Sequence, residues 1–298
     1  MKGNLNESKI ALEESELVVN KDGSIFHLHL LPHQIADTIL IVGDQGRVKQ
    51  ISQHFSEIEY KVENREFVTH TGYFKGKRIS AVSTGIGADN IDIVLNELDA
   101  LVNIDLETRI IKETKKSLNI IRIGTSGALQ PDIQVDSYVV SEYGLGFDGL
   151  AGFYNNLSES DEMDIEKAFF SQVNWGIATV KPYIAKGDQE LIQLLSEKAK
   201  KGITVTGNGF YGPQGRVLRI KTKQENLNEQ MAQFNYNDLK IMNFEMETSA
   251  LYSLGGMMGH KTATICAIIA NRHLKQYSEN YKKTVDEMIL YVLDKLVK

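Results

Sequence analysis

Asn243–Ala250, reading NFEMETSA, is where an apolar strand hands over to a helix. Ile241, Met242 and Phe244 read as the end of a buried strand, and Thr248-Ser249-Ala250-Leu251 opens an apolar-periodic segment. Glu245, Met246 and Glu247 are therefore expected at a strand's carboxyl end, where open α/β sheets keep their binding sites. A carboxylate there can accept both hydroxyls of a ribose diol, while a thioether gives a soft apolar floor for a sugar ring. The same two acids also suit the positive end of a helix dipole with no ligand present. The octapeptide alone leaves both readings open.

Working outward, β-branched apolar runs at Thr38–Val42, Arg78–Ser83, Ile120–Ile123, Tyr138–Val140, Ile203–Thr206, Val217–Ile220, Leu239–Phe244 and Thr262–Ile269 read as strands. Between them lie helical periods. Ile91, Val94, Leu95, Leu98 and Leu101 form one stripe in Ala88–Leu101; Gln189–Lys200, Thr248–Met258 and Tyr281–Val297 read likewise. Strands alternating with helices imply an α/β sandwich around a mixed sheet. No Pro/Ser-rich linker interrupts the 298 residues, so a single domain over residues 24–298 is expected behind an N-terminal extension, residues 1–23.

The chain is 42% hydrophobic and 24% charged, enough for a sizeable core. Its net charge of −6, with dispersed Lys and Arg, argues against a nucleic-acid partner, which needs a concentrated basic surface. The polar, acidic N-terminus has no signal-peptide core and no apolar run reaches membrane-spanning length, so no membrane partner and a cytoplasmic location are expected. The one cysteine, Cys266, lies in the apolar run ATICAIIA and reads as an inert core residue.

Three motifs carry candidate chemistry. In GDQGRV, Gly43 lets backbone approach an oxyanion, and Arg47 adds a guanidinium from the first turn of a helix; a plain strand-to-helix turn with a surface Arg reads the same. Arg122, inside IIRIG, sits in an otherwise apolar strand, and a buried guanidinium is costly unless an anion or a carboxylate pairs with it. Thr125 can add a hydroxyl to the same anion. GTSGA, residues 124–128, does not have the G-x-S-x-G spacing of a hydrolase elbow, and His27, His29 and His33 fit no standard zinc spacing, so no metal site is expected.

Taken together, Ile39–Val48 (ILIVGDQGRV), Ser83–Gly87 (STGIG), Ile121–Pro131 (IRIGTSGALQP), Gly209–Arg216 (GFYGPQGR) and NFEMETSA resemble, in order and chemistry, the nucleoside phosphorylases, in particular the uridine phosphorylases. The resemblance runs from about Phe26 to the last helix. It implies a three-layer α/β/α sandwich around a mixed, partly barrel-like central sheet. It implies reversible phosphorolysis of uridine to uracil and ribose 1-phosphate; a nucleosidase and a catalytically inactive nucleoside-binding protein are the alternatives. Implied for phosphate are Gly43, Arg47, Arg122 and Thr125 of one subunit with Arg65 of its neighbour; for ribose, Glu245, Met246 and Glu247, with His27 reaching a neighbour's 5′-hydroxyl.

For the base the resemblance implies Phe210, Gln214, Arg216, Ile269 and Arg272. Gln214 can match N3–H and O2 of uracil, Arg216 suits O4 and Phe210 can stack on the ring. The expected catalytic set is Arg122, Thr125, Glu247 and Arg216. Purine-specific relatives place an Asp where this chain has Asn271-Arg272, so a leaving purine would lack its acid. Uridine and phosphate are the expected partners, with no organic cofactor. A homodimer, or a hexamer built from dimers, is expected, and a structural potassium site is left open because Asn90 stands where the resemblance implies Ser. Departures are the N-terminal extension, Asp105–Leu118 as a projecting hairpin or a charged helix, Gly152–Trp175 as a loop carrying the acidic run Glu159–Glu166, and a short stretch after Arg272.

Overall fold

The computed structural model describes residues 11–155 and 159–297. The first ten residues of the expected extension, and 156–158 of the expected loop insertion, lie outside the described residues.

β1 (Thr38–Val42) is buried at every position and leads into α1 (Gln45–Ser52). An unbroken apolar run is what a strand covered on both faces needs. Ile39 and Ile41 enter one core, while Leu40 and Val42 enter the other. β2 (Glu57–Asn64) alternates exposed and half-buried residues, as an edge strand does, and pairs with β3 (Phe67–Phe74), which pairs with β4 (Lys77–Ser83). α2 (Ala88–Asn103) ends in a small hairpin, β5 (Ile104–Asp105) against β6 (Ile110–Ile111), so the Asp105–Leu118 insertion begins as a hairpin.

β7 (Asn119–Ala128) and β8 (Tyr138–Gly146) follow, then α3 (Ser160–Gln172), β9 (Tyr183–Lys186), α4 (Gln189–Leu195) and β10 (Ala199–Thr206). α5 (Leu227–Gln233), β11 (Asn235–Tyr236), β12 (Leu239–Glu245), α6 (Thr248–Met257), β13 (Lys261–Asn271), β14 (Gln276–Tyr277) and α7 (Tyr281–Leu296) complete the chain. The sheet runs β11-β12-β10-β8-β13-β7-β1-β4-β3-β2 and closes on itself, because β12 also pairs antiparallel with β7, Asn243 opposite Ala128 and Phe244 opposite Gly127. Five strands, β7, β13, β8, β10 and β12, thus form a barrel continued into an open wing. α2 and α6 cover one face and α1, α4 and α7 the other, giving the expected three-layer, partly barrel-like α/β sandwich.

Three local expectations are corrected. Val217–Ile220 is not a strand: it follows Gly215 in the left-handed region, has no strand partner, and leaves Val217, Leu218 and Ile220 exposed. The helix expected over Gln189–Lys200 stops at Leu195, because Ala199 onward is taken by parallel pairing with Tyr138–Gly146. The acidic run is not in a loop: it forms α3, which buries Ile165 and Phe169, one turn apart, in an aromatic cluster with Phe147 and Trp175. Among the described residues, Leu12 and Leu17 of the N-terminal segment pack on the core, and no helix is long and apolar enough to cross a membrane.

Candidate active site

The carboxyl ends of β1, β7 and β12 and the loops beside them enclose a cleft of about 860 Å³. Glu245 closes β12, and Glu247 is the residue before α6. Both are buried, but their surroundings differ. Glu245 accepts from the Glu247 N–H at 2.9 Å, the Thr248 N–H at 3.0 Å and the Thr206 hydroxyl at 2.7 Å. Its carboxylate caps the helix, so the dipole reading of the acids holds for this one. Glu247 accepts the Gly87 N–H at 2.7 Å on Oε1 and the Arg122 Nη2 on Oε2. Gly87 has φ +104°, a conformation that favours glycine, and this aims its N–H at the acid.

Arg122 lies folded over its own strand. A Cβ on Gly124 would meet the Arg122 Nη1 at 2.0 Å, so only glycine leaves room for the guanidinium. Nη1 reaches the Glu245 Oε2 at 3.2 Å and the Cys266 Sγ at 3.3 Å. Burial alone would lower the Arg122 pKa, but Glu247 and Glu245 outweigh it and hold the group above its ordinary value. Burial raises Glu247 above the ordinary carboxylate value, against the pull of Arg122 and with the help of Glu245. Burial likewise pushes the Cys266 thiol up to about 11, which keeps it neutral and inert.

Arg47, on the first turn of α1, donates to the Ile123 carbonyl at 3.0 Å, and its pKa is lowered by burial and by the charge of Arg122. Two guanidinium groups that disfavour each other's charge are relieved by an anion between them. Gly43 and Thr125 line the same end. The N-terminus of α1 is already capped by Asp44, which accepts the Gly46 N–H at 2.9 Å, so Arg47 rather than the helix dipole supplies the positive character there.

The other end of the cleft is built on Gln214, which is buried. Its Oε1 accepts from the Arg216 Nη1 at 2.6 Å and the Arg272 Nη2 at 2.6 Å, and its main-chain carbonyl accepts from the Arg272 Nη1. Arg216 also lies 3.7 Å from the Phe210 ring centroid, on a ring face that sequence reading assigned to a base. Burial, then the charge of Arg216, pulls Arg272 down to about 9. Met246 and Ile269 line the cleft; Ile269 lies at a bulge, where the register between β13 and β7 slips between Ile268 and Ala270. Asn271 donates to the Gln130 and Ile133 carbonyls at 2.9 and 2.6 Å and accepts the Leu274 N–H at 2.8 Å, so its side chain serves the backbone.

Two expected residues, both assigned by the resemblance to a neighbouring subunit's site, do not line this cleft. Arg65, exposed on the β2–β3 turn, and His27, held by Glu97, lie outside its lining. Sequence reading missed Gln45, Ile86, Ser126, Lys275 and Tyr277, which line it. Ile86 and Ser126 stood inside quoted motifs; Lys275 and Tyr277 belong to the hairpin after Arg272, whose inward turn no periodicity marks.

Residues 37–294 match the family described as the phosphorylase superfamily. The uridine phosphorylase of Thermococcus kodakarensis is 29% identical over 269 residues, covering 88% of this chain and 83% of that protein. A DeoD-type purine nucleoside phosphorylase of Caldanaerobacter subterraneus is 28% identical over 244 residues, covering 81% and 86%. A nucleoside phosphorylase of Trypanosoma brucei, whose crystal structure is described as showing uridine phosphorylase activity, is similar with a TM-score of 0.85 at 28% identity, covering 94% of this chain and 99% of that one. The family match takes in β1, the barrel and every residue that lines the cleft, and on that ground the chain belongs to the phosphorylase superfamily.

Proposed function

We propose that the chain catalyses the reversible phosphorolysis of uridine to uracil and ribose 1-phosphate. The observation that carries this reading is the pair of guanidinium groups on Gln214, beside an Asn271 whose side chain is fully engaged with the backbone. Such a pocket stabilises a base that departs as an anion and offers no acid at Asn271 to protonate one. Phosphate is held by Arg47, Arg122, Thr125 and the backbone at Gly43, with Arg65 supplied by a second copy. A phosphate oxygen attacks C1′ as the C1′–N1 bond breaks and its electron pair passes to the base, where Arg216 and Arg272 meet the charge.

Glu247 keeps lone pairs beyond those used by Gly87 and Arg122, and these take the 2′- and 3′-hydroxyls. Met246 packs under the sugar. Glu245 acts through α6, fixing the turn that carries Glu247, rather than as a free acceptor. Holding phosphate and C1′ in line supplies much of the acceleration.

A purine reading has one observation in its favour: purine nucleoside phosphorylases match at nearly the same identity as uridine phosphorylases. The engaged side chain of Asn271 argues against it. Competition between equimolar uridine and inosine, in phosphate, separates the two. Preferential consumption of uridine supports the proposal; preferential consumption of inosine overturns it.

A further inference from the structure

The buried face of α2 contains one ionisable residue. Glu97 lies between Leu95 and Leu98 with 9% of its surface exposed. Its contacts among the described residues include no Lys or Arg. A carboxylate in that position is expensive unless its oxygens are satisfied.

They are satisfied by one short segment. Glu97 accepts the His27 N–H at 2.9 Å and the Leu28 N–H at 2.7 Å, and its Oε1 lies 2.7 Å from the His27 Nδ1. Asn64 adds a fourth tie, donating its Nδ2 to the His27 carbonyl at 2.8 Å. The next residue, Arg65, lies 5.7 Å from the Phe26 ring, which packs edge-on to the His27 ring at 4.7 Å. His27 and Arg65 are thus brought onto one surface outside their own cleft.

We infer that Glu97 is the positioning residue for His27. A carboxylate that already accepts two backbone N–H groups can only accept from Nδ1, so the Nδ1 nitrogen carries the proton and Nε2 faces outward as an acceptor. An outward acceptor on a ring that cannot turn suits a hydroxyl donor. On the reading of the cleft given above, that hydroxyl is the 5′-OH of a nucleoside held by a second copy. A rotating, two-tautomer histidine would spend much of its time in the wrong arrangement, which is the burden the buried acid removes.

The test compares wild type, Glu97→Gln, His27→Ala and the double variant on uridine and on 5′-deoxyuridine, with melting temperatures recorded alongside. Glu97→Gln should lower kcat/KM for uridine about tenfold, as expected for loss of a charge-assisted hydrogen bond, and leave 5′-deoxyuridine within about twofold. The double variant should be no worse than His27→Ala alone. Equal losses on both substrates would reduce Glu97 to a structural role and overturn the inference, as would an unchanged rate on uridine. A readout independent of turnover is the ¹⁵N spectrum of labelled histidine. His27 should be protonated at Nδ1 in wild type and lose that preference in Glu97→Gln; protonation at Nε2 in wild type overturns the inference whatever the substrate proves to be.

Discussion

The Arg122 guanidinium lies against the Glu247 carboxylate, Nη2 on Oε2, with both side chains buried at the mouth of the barrel. The contact joins the proposed phosphate end of the cleft to its sugar end. Removing Arg122 strands the buried Glu247, at a cost of about 3–5 kcal/mol, and removing Glu247 leaves Arg122 with Glu245 alone; with both gone, Glu245 keeps its backbone and hydroxyl donors and no unpaired Glu247 or Arg122 charge remains. Arg122→Met and Glu247→Leu should each lower the urea midpoint, and the double variant should recover part of the loss while remaining inactive. Additive losses in urea denaturation would contradict the pairing.

The pH profile should have two limbs of known origin. Glu247 must be ionised to accept ribose hydroxyls, and because burial raises its pKa above the ordinary 4.5, kcat/KM should fall on acidification from a higher pH than a free carboxylate gives. Arg272 is positive below about 9 and sheds its proton as the pH rises through that value, so the charge facing the departing base is lost and the rate falls again. Arg272→Gln should lower the rate and abolish the upper limb while leaving the lower one. An unchanged upper limb in that variant would remove Arg272 from the mechanism.

Replacing Asn271 by Asp should not create a purine phosphorylase. The amide group donates to two carbonyls; a carboxylate would leave Ile133 without that donor and Gln130 with only the Ile133 N–H at 3.3 Å, and would bring a negative charge beside both. The expected loss is about 2–3 kcal/mol of stability with no gain in inosine turnover. Denaturant titration and an inosine assay check both halves; robust inosine cleavage by a stable Asn271→Asp protein would show the side chain free to turn into the cleft.

Gln214→Glu offers the opposite separation of stability from activity. A carboxylate between Arg216 and Arg272 gains charge pairing, so the melting temperature should hold or rise. The same carboxylate neutralises the cations meant for the base and removes an amide donor, so kcat/KM for uridine should fall about a hundredfold. Activity near wild type would place base recognition elsewhere.

The placement of Glu245, Met246 and Glu247 was legible because an apolar run ending in acids, followed by a helical period, has few other readings. The acids' division of labour was not, since it depends on Gly87, from the start of α2, and Arg122, from β7. Arg122 announced itself as a charge inside an apolar strand, but Glu97 stayed hidden, because one acid in a helix normally reads as a solvated face. The barrel closure between Asn243 and Ala128 leaves no local trace in either segment. Val217–Ile220 misled for the converse reason: β-branched residues suit a strand only where a neighbour supplies hydrogen bonds, and none does here. Arg216 on the Phe210 ring is likewise a contact that the motif GFYGPQGR does not reveal.

Incubation of the purified protein with uridine, with and without inorganic phosphate, tests the central claim most directly, with uracil and ribose 1-phosphate followed by chromatography. The account predicts uracil release that requires phosphate and yields ribose 1-phosphate in equal amount. Uracil release at the same rate without phosphate, giving free ribose, would contradict it, as would uridine left intact in both reactions.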